Sequence, residues 1–248
     1  LELNAHEKTI MSGCFVAPAG IRTRFDQIGG LGATKELIDD LIRLPLRHPQ
    51  FFQHGILRQN TTGMLLFGPP GTGKTMLARA VAAESGAAFL NVQMSRITNM
   101  YVGESEKLVK AIFTLARKLQ PCVIFIDEMD ALLRARSSHN HGYETKIINE
   151  FMQEWDGIAS GQHQQLIVIG ATNRPFDLDD AVLRRLPRRV MVSLPTLQER
   201  HSIVRVLLTE DRIELIHWIA ERTQDWSGSD LKNLCLAAAL HSLKEHLR

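Results

Sequence analysis

The 248-residue sequence predicts an α/β fold in which helices cover both faces of a parallel sheet and a small helical domain follows. Between about residue 60 and residue 194, short apolar stretches alternate with amphipathic stretches at helical spacing. Strands that are apolar throughout and separated by helices are typical of a parallel sheet that is buried on both faces. Beyond Pro195 only helical spacing is found, and this predicts the second, helical domain.

The elements are expected in a regular order. The predicted strands are Met64–Phe67, Ala88–Val92, Val123–Ile126, Leu166–Ile169 and Arg189–Ser193. A first helix is expected over residues 37–44, where Pro45 ends it because a proline ring disfavours a helix interior. The later helices are expected at Lys74–Glu84, Ser105–Leu119, Tyr143–Trp155 (ended by Gly157), Leu197–Leu207, Leu215–Arg222 and Asp230–Leu247. We therefore divide the chain into a loosely ordered leader over residues 1–25, a large α/β domain over residues 26–194 and a small helical domain over residues 195–248.

Composition excludes several classes of protein. The formal net charge of +2 is too near balance to predict a nucleic-acid or anionic-membrane binder. Cys14, Cys122 and Cys235 are far apart and form no disulfide framework, which fits a reducing compartment. The longest apolar runs are strand-sized, far below the roughly 20 residues that a membrane helix needs. We expect this segment to be soluble, and any targeting or membrane segment upstream of Leu1 would not be visible in it.

A glycine-rich loop follows the strand Met64–Phe67. Its sequence, Gly68-Pro69-Pro70-Gly71-Thr72-Gly73-Lys74-Thr75, matches the pattern G-x-x-x-x-G-K-[ST] between a strand and a helix. Glycines let backbone N–H groups converge on phosphate oxygens, and the helix N-terminus adds partial positive charge. Lys74 then reaches the β- and γ-phosphates, and the Thr75 hydroxyl ligates Mg²⁺. The loop predicts an ATP and Mg²⁺ site; the alternative is a glycine-rich connection with a chance lysine. The predicted binding residues are Pro70, Gly71, Thr72, Gly73, Lys74, Thr75 and Met76.

Polar side chains end two further strands. Asp127 and Glu128 follow Val123–Ile126, and Asn173 follows Leu166–Ile169. Ligands of parallel sheets bind at the carboxyl ends of the strands, where the loop also lies. Asp127 is expected to hold Mg²⁺ and Glu128 to polarise the attacking water, with Asn173 hydrogen-bonded to the γ-phosphate or to that water. The alternatives are acidic strand caps and an asparagine turn before a proline.

These motifs together resemble the AAA ATPases from Phe25 to the C-terminus. The resemblance implies a P-loop NTPase fold with a C-terminal helical lid. The carrying segments are Asp26–Gly30, Gly68–Thr75, Asp127-Glu128, Ala171–Pro175, Leu183–Arg189 and Ser227–Leu231. Within the family, residues 118–128 and 183–189 look like the mitochondrial outer-membrane sorting ATPases and thorase, which pull mislocalised tail-anchored proteins out of membranes. Katanin, spastin and fidgetin are similar to these.

The resemblance also implies where adenine binds. The family pattern puts the base near Ile28 and Gly29 on one side and near Gly228 and Ser229 on the other. The helical domain would have to fold over the nucleotide to bring Gly228 close. Leu207, where some relatives place a histidine near the nucleotide, is expected to be part of the core.

Family members work as ring hexamers in which arginine fingers reach the γ-phosphate of a neighbour. The matching positions here are Arg185 and Arg188, with Arg184 as a further candidate. An arginine fork adds positive charge where the transferring phosphoryl group develops negative charge. A solvated basic loop or a salt-bridged surface is the alternative.

A loop before the helix at Ser105 combines Met100, Tyr101 and Val102, which are apolar residues that do not serve a core. In the family the corresponding loop lines the central pore and grips an extended polypeptide with an aromatic side chain, for which Tyr101 is the best match. This chain departs from relatives that carry Lys-Trp-Tyr there. Packing of the loop against its own domain is the alternative.

The resemblance implies an ATP-hydrolysing motor that threads protein substrates through a homo-hexamer. The substrates would be polypeptides such as tail-anchored membrane proteins, and the site of action the cytosolic side of the mitochondrial outer membrane or the cytoplasm. A microtubule-severing or filament-remodelling enzyme is the second interpretation. A nucleotide-gated scaffold would need a defect in the catalytic set, and none is visible. The sequence has neither the Asn-Lys-x-Asp motif of GTPases nor the His-Glu-x-x-His motif of metalloproteases.

Overall fold

A computed structural model describes residues 2–52, 63–94, 97, 104–131, 142–160, 165–208 and 213–247. Their centre is a six-stranded sheet with the order β1-β3-β4-β5-β2-β6. Its five longer strands are parallel, and the short edge strand β1 runs antiparallel to β3. This confirms the predicted fold class. The strands are β1 (Phe15–Val16), β2 (Gly63–Phe67), β3 (Ala88–Gln93), β4 (Cys122–Asp127), β5 (Leu166–Thr172) and β6 (Arg188–Met191).

Ten α-helices accompany the sheet in the described part of the chain. Those of the α/β region are α1 (Ala5–Cys14), α2 (Gly32–Ile38), α3 (Leu44–Arg47), α4 (Lys74–Ser85), α5 (Glu104–Lys118), α6 (Gly142–Ser160) and α7 (Asp180–Arg185). Those that follow it are α8 (Leu197–Leu208), α9 (Ile213–Arg222) and α10 (Gly228–His246). Within the described ranges, no helix combines the length and the apolar character needed to cross a membrane.

The sheet is covered on both faces, as its uniformly apolar strands predict. One apolar cluster contains Phe113 and Trp155 of α5 and α6 together with Ile124 of β4. The cluster on the other face contains Leu77 of α4 and Phe125, which is adjacent to Ile124 along β4. Successive residues of a strand point to opposite faces, so β4 contributes to both clusters. This double burial holds the carboxyl ends of β2, β4 and β5 at one edge of the sheet.

The N-terminal residues are more ordered than the sequence suggested. The expectation of a loosely ordered leader is wrong for residues 5–16, which form α1 and β1. Asn4 and Glu7 cap α1 reciprocally, because each side chain accepts the backbone N–H of the other at 2.8 and 2.9 Å. Ile10 is buried in the core next to α5. A ten-residue helix with little periodicity therefore folds by capping and tertiary packing. The domain boundaries at residues 25 and 194 stay a prediction.

Two expected helix ends are also wrong. Helical backbone continues through Pro45 to Arg47, because residues 39–43 widen into π-helical turns in which the Leu44 N–H bonds to the carbonyl of Asp39. The wider turn accommodates the proline ring. Likewise α6 runs past Gly157 to Ser160. A Cβ at Gly157 would lie 3.1 Å from Nη2 of Arg117, so this glycine serves close packing.

The three helices after β6 form the lid around Val204, Ile216 and Leu231. Arg200 of α8 is 7% exposed and joins the lid to the chain that enters it. Its guanidinium donates to the carbonyl of Ala220 at 2.9 Å and to that of Pro195 at 3.0 Å. These bonds satisfy a buried charge and fix α9 against the start of α8.

Candidate nucleotide site

The loop between β2 and α4 passes very close to neighbouring backbone. A Cβ on Gly68, whose φ is +143°, would lie 2.2 Å from the carbonyl oxygen of Val192. A Cβ on Gly71, whose φ is +74°, would lie 2.6 Å from Oγ of Ser227 in the lid. Only glycine fits at these two positions, because the conformation and the space both exclude a side chain. The lid therefore lies directly on the loop, and the Ser229 N–H donates to the Gly71 carbonyl at 3.1 Å.

Lys74 is only 8% exposed and is held by its own loop. Its Nζ donates to the carbonyls of Gly68 and Pro69 at 2.9 and 2.8 Å. Burial lowers the pKa of Lys74, and the negative charge of Asp127 opposes that shift. An ammonium carries three N–H donors, so these two bonds leave a third to bind a phosphate oxygen.

Thr75 and Asp127 meet across the site. The Thr75 hydroxyl donates to Oδ2 of Asp127 at 3.0 Å, and Oδ1 of Asp127 accepts the backbone N–H of Glu128 at 3.0 Å. A hydroxyl and a carboxylate are hard oxygen ligands, which suit Mg²⁺ held also by substrate phosphates. In the described part of the chain there is no group of three or more His, Cys, Asp or Glu residues suited to a metal ion. The donor set therefore fits Mg²⁺ brought with a nucleotide better than a metal held by protein side chains alone.

Glu128 has an unusual backbone conformation for a residue with a side chain. Its φ is +52°, in the left-handed region, and its side chain is exposed. This conformation costs an L-residue roughly 1–2 kcal/mol. Such strain is concentrated at functional sites, where the surrounding structure over-determines it. Here the bond from the Glu128 N–H to Asp127 holds the turn in which β4 ends.

Asn173 is exposed at the end of β5, in a segment fixed by its neighbours. The Thr172 hydroxyl donates to Oδ1 of Asp130 at 2.6 Å and accepts the Arg174 N–H at 2.9 Å. These bonds order the backbone on both sides of Asn173. The fold therefore presents the Asn173 amide on a rigid strand end beside the two carboxylates, since β4 and β5 are adjacent and parallel.

A cavity of about 490 Å³ lies where the loop, the strand ends and the lid meet. This is a size typical of small-molecule sites. Its lining contains the predicted loop residues Pro70–Met76, the strand-end residues Asp127, Glu128 and Asn173, and the predicted adenine neighbours Ile28, Gly29, Gly228 and Ser229. Residues from five separate stretches of the sequence are thus brought to one cavity. Their roles in binding and catalysis stay a prediction.

Sequence reasoning missed the contribution of α8 to this cavity. Ile203, Val206 and Leu207 line it, so Leu207 reaches the cavity in addition to packing on the lid core. A Cβ on Gly29 would lie 2.4 Å from Cα of Ile203, so the segment before α2 packs directly on the backbone of α8. The helical spacing of α8 predicts an apolar face, but it does not show that this face both packs in the lid core and lines the cavity. Glu199 and Lys232 also line the cavity and were not singled out.

The two predicted arginine fingers lie away from this cavity. Arg185 is bound within its own chain, because its Nε and Nη2 donate to the two carboxylate oxygens of Asp156 at 2.7 and 2.6 Å. Arg188 is exposed, and its guanidinium makes no hydrogen bond or ion pair with any described residue. It pairs with Met64 at the start of β6. Met191, at the other end of this strand, lies beside the nucleotide loop, and at 3.3 Å per residue the two ends are about 10 Å apart. Neither arginine lines the cavity of its own chain.

Met100, Tyr101 and Val102 lie outside the described residues. The described helix α5 begins shortly after them at Glu104.

Comparisons with known proteins agree with the site. Residues 64–194 match the family described as the ATPase family associated with various cellular activities (AAA), and residues 214–248 match the AAA+ lid domain. This chain belongs to the AAA ATPase family. The two matches cover the loop, both carboxylates, Asn173 and the lid residues Gly228 and Ser229, and they confirm the resemblance inferred from the motifs. The chain is thus an ATP-hydrolysing domain.

Individual relatives of this chain include a mitochondrial translocase, a spastin and a FIGL-1 domain. The chain is 39% identical over 251 residues to the outer mitochondrial transmembrane helix translocase of Danio rerio, covering 100% of this chain and 66% of that protein. It is 44% identical over 234 residues to the spastin of Danio rerio, covering 93% of this chain and 41% of that protein. It therefore spans between about two fifths and two thirds of the length of these curated relatives. The crystal structure of the FIGL-1 AAA domain in complex with ADP matches with a TM-score of 0.85 and 35% identity, covering 99% of this AAA chain and 82% of that one.

Proposed function

We propose that ATP binds in the cavity between the loop, the strand ends and the lid, and that Glu128 polarises the water that attacks the γ-phosphate. The observation that carries this is the convergence of Lys74, Thr75, Asp127, Glu128 and Asn173 on one cavity. Phosphoryl transfer needs positioning and charge stabilisation more than covalent chemistry. The five side chains supply a cation, metal ligands, a base and an amide, which meets those needs.

Each group has a separate task in this proposal. Lys74 and the loop N–H groups bind the phosphates, and the apolar residues Ile28 and Ile203 enclose the base. Thr75 and Asp127 would hold Mg²⁺, which when bound supplies positive charge to the phosphate oxygens. Glu128 accepts a proton from the water, and the Asn173 amide orients that water or the γ-phosphate.

We further propose that the active form is a homo-hexamer in which Arg188 or Arg185 acts on the nucleotide of a neighbour. Support comes from the position of Arg188 near the start of edge strand β6, where no described residue binds its guanidinium. An arginine supplied in trans stabilises the negative charge of the transition state and is worth about 10³–10⁵ in rate. AAA family members generally assemble as hexamers, and an exposed arginine at an edge fits such an interface.

For the whole protein, we propose ATP-driven threading of polypeptides through the hexamer pore, with extraction of mislocalised proteins from the mitochondrial outer membrane as the task. The translocase relatives, which match this chain over its full length, support this choice. Tyr101 is the proposed gripping side chain. An aromatic side chain at this point in the sequence, shortly before α5, suits contact with an extended polypeptide, since an aromatic ring binds many sequences through surface burial alone.

Microtubule severing is the second candidate. The observation that favours it is the 44% identity to spastin, above the 39–40% found for the translocases. Both activities would use the same nucleotide site. They are separated by substrate: incubation with tail-anchored proteins in liposomes reports extraction, and incubation with stabilised microtubules reports severing.

The decisive test of the catalytic proposal is Glu128→Gln in the assembled protein. We expect this variant to bind ATP with the affinity of the wild type and to lose ATP turnover. Turnover at the wild-type rate would refute the role of Glu128 as the base.

Tyr101→Ala should keep basal ATPase activity and lose substrate movement, and unchanged extraction by that variant would exclude Tyr101 as the gripping residue.

A further inference from the structure

We infer that Glu199 is a positioning residue that sets the affinity of the cavity for the nucleotide by joining its two apolar walls. One wall is the segment before α2, which contains Ile28 and Gly29, and the other is α8, which contains Ile203. This inference rests on the proposed function, because it concerns the same nucleotide. Glu199 lines the same cavity, but that proposal assigns it no contact with the phosphates or with the attacking water.

The first observation is the way Glu199 divides its two carboxylate oxygens. Oε2 accepts the Thr196 N–H at 2.9 Å while the Thr196 hydroxyl accepts the Glu199 N–H at 3.3 Å, and these two bonds form the capping box that begins α8; Oε2 also accepts the Thr196 hydroxyl at 3.0 Å. A capping box needs only that oxygen. Oε1 instead accepts the backbone N–H of Leu31 at 2.9 Å, from a segment 168 residues away. The side chain therefore does more than cap its own helix.

The second observation is the backbone conformation at the receiving end. Leu31 has φ of +58°, in the left-handed region, although it is not a glycine. Such a conformation persists only where surrounding contacts impose it. Gly30 next to it has φ of +72°, and a Cβ there would lie 2.7 Å from Cβ of Glu199. The backbone at Gly30 thus packs so closely on Glu199 that a side chain would not fit between them. The hydrogen bond from Leu31 to Glu199 maintains this turn.

The carboxylate is suited to this task by its charge. Burial by itself raises the pKa of Glu199, but the hydrogen bonds from Thr196 and Leu31 outweigh burial and hold the pKa below its ordinary value. Glu199 is therefore ionised at neutral pH, and hydrogen bonds to an ionised acceptor are roughly twice as strong as neutral ones.

Loss of the carboxylate should act on binding rather than on chemistry. Without the acceptor, Leu31 relaxes from its strained conformation, and Ile28 and Gly29 move away from Ile203. The two walls then no longer enclose the base. Lys74 belongs to the loop, Asp127 ends β4 and Glu128 directly follows it, so the phosphate end of the cavity keeps its geometry.

The experiment measures the binding of a fluorescent ADP with Mg²⁺ present, followed by steady-state ATPase assays of the assembled protein. We expect Glu199→Ala to bind ADP about tenfold more weakly, as loss of one charge-assisted hydrogen bond predicts. The KM for ATP should rise in parallel while kcat at saturating ATP stays within about twofold. Glu199→Gln should fall between the wild type and the alanine variant, because its single oxygen can accept at only one end.

Two matched variants separate positioning from capping and from charge. Thr196→Val removes the capping hydroxyl and keeps the bond to Leu31, so its ADP affinity should equal that of the wild type. Glu214→Ala removes an exposed carboxylate of the same lid and should also leave the affinity unchanged. If Thr196→Val weakened ADP as much as Glu199→Ala, helix capping alone would explain the effect and the inference would fail.

The failure of this inference and that of the proposed function look different. Wild-type protein that binds no ADP would refute the nucleotide site itself. Wild-type protein that binds ADP, together with a folded Glu199→Gln variant that binds it equally well, would overturn the inference alone. A fall in kcat at unchanged KM would overturn it too. If Glu199→Ala does not fold, the comparison of Glu199→Gln with Thr196→Val decides the question.

Discussion

The hydroxyl of Thr75 and the carboxylate of Asp127 lie 3.0 Å apart although 52 residues separate them in the chain. One belongs to the first turn of α4 and the other ends β4. Because β4 and β2 lie on either side of β5, the carboxyl end of β4 comes close to the loop that follows β2. The pair is therefore a product of strand order, and it brings together the two oxygen-bearing side chains that we propose as ligands of a nucleotide-bound Mg²⁺.

Thr75→Val tests this pair, because it removes the hydroxyl at nearly constant volume. We expect the Mg²⁺ concentration for half-maximal ATPase activity to rise about 10–100-fold, the range typical of altered metal-site contacts. Thr75→Ser keeps a hydroxyl and should stay within a few-fold of the wild type. Magnesium titrations of both variants check this, and equal half-saturation by the valine variant and the wild type would exclude Thr75 as a ligand.

Mixing experiments test whether Arg188 acts on a neighbouring nucleotide. Arg188→Ala protein and Lys74→Ala protein should each be inactive alone. Mixed oligomers should regain ATPase activity, since an intact site of the first variant then meets an intact arginine of the second. The double variant mixed with Arg188→Ala is the control and should stay inactive. If the ATPase activity of the mixtures never exceeded the sum of the activities of the separate variants, action in trans would be contradicted. The same series with Arg185→Ala in place of Arg188→Ala tests Arg185, the arginine that Asp156 binds.

Gly29→Ala tests the contact between the segment before α2 and the lid. The new Cβ would lie 2.4 Å from Cα of Ile203, so the two backbones have to separate. We expect weaker binding of ADP, by about tenfold or more, since overpacking commonly costs 1–3 kcal/mol. Gly13→Ala is a matched control in α1, where a Cβ would meet nothing within 4 Å. ADP affinities are measured by fluorescence titration. Equal affinities for the two variants would show that ADP binding does not depend on the close contact between Gly29 and α8, and would contradict this prediction.

Glu7 should make stability depend on acid pH. Its carboxylate is 1% exposed and binds Nζ of Lys118 at 2.7 Å. Burial alone would raise the pKa of Glu7, but the bonds from Lys118 and Asn4 outweigh it and hold the pKa below its ordinary value of about 4.5. A lowered folded-state pKa contributes stability that is present above the unfolded-state pKa and is lost as pH falls through the folded-state value.

We expect Glu7→Gln to lower the free energy of unfolding at pH 7 by about 1–2 kcal/mol, a modest figure because Lys118 is partly solvated. The difference from the wild type should shrink as pH falls below about 4.5, where Glu7 becomes protonated in the unfolded state, and should vanish below the lowered folded-state pKa, where it is protonated in both states. Denaturant titrations at several pH values measure it, with Glu36→Gln, an exposed glutamate of α2, as the control. A difference that stays constant down to pH 3 would contradict the assignment.

The nucleotide loop and the strand-end carboxylates could be predicted from the sequence because each depends on a local pattern. Gly68–Thr75 carries its conformation and its ligands within eight residues, and Asp127 and Glu128 directly follow an apolar run. The predicted strand boundaries lie within a few residues of the observed ones, because an apolar run is also a local pattern. The predicted helix ends at Pro45 and Gly157 are wrong because π-helical turns at the first site and close packing at the second override local propensity.

Sequence by itself thus determined two things about this protein: an alternation that builds a parallel sheet, and the groups at the ends of its strands that we propose for phosphate transfer. Only the tertiary structure decided which distant segments meet, including Glu199 with Leu31, Asp156 with Arg185 and Lys118 with Glu7. Periodicity records which face of an element is apolar, whereas the partner of a polar side chain depends on the order of strands and on how the lid packs. A capping glutamate and a glutamate that joins two walls have the same local sequence, and only the fold distinguishes them.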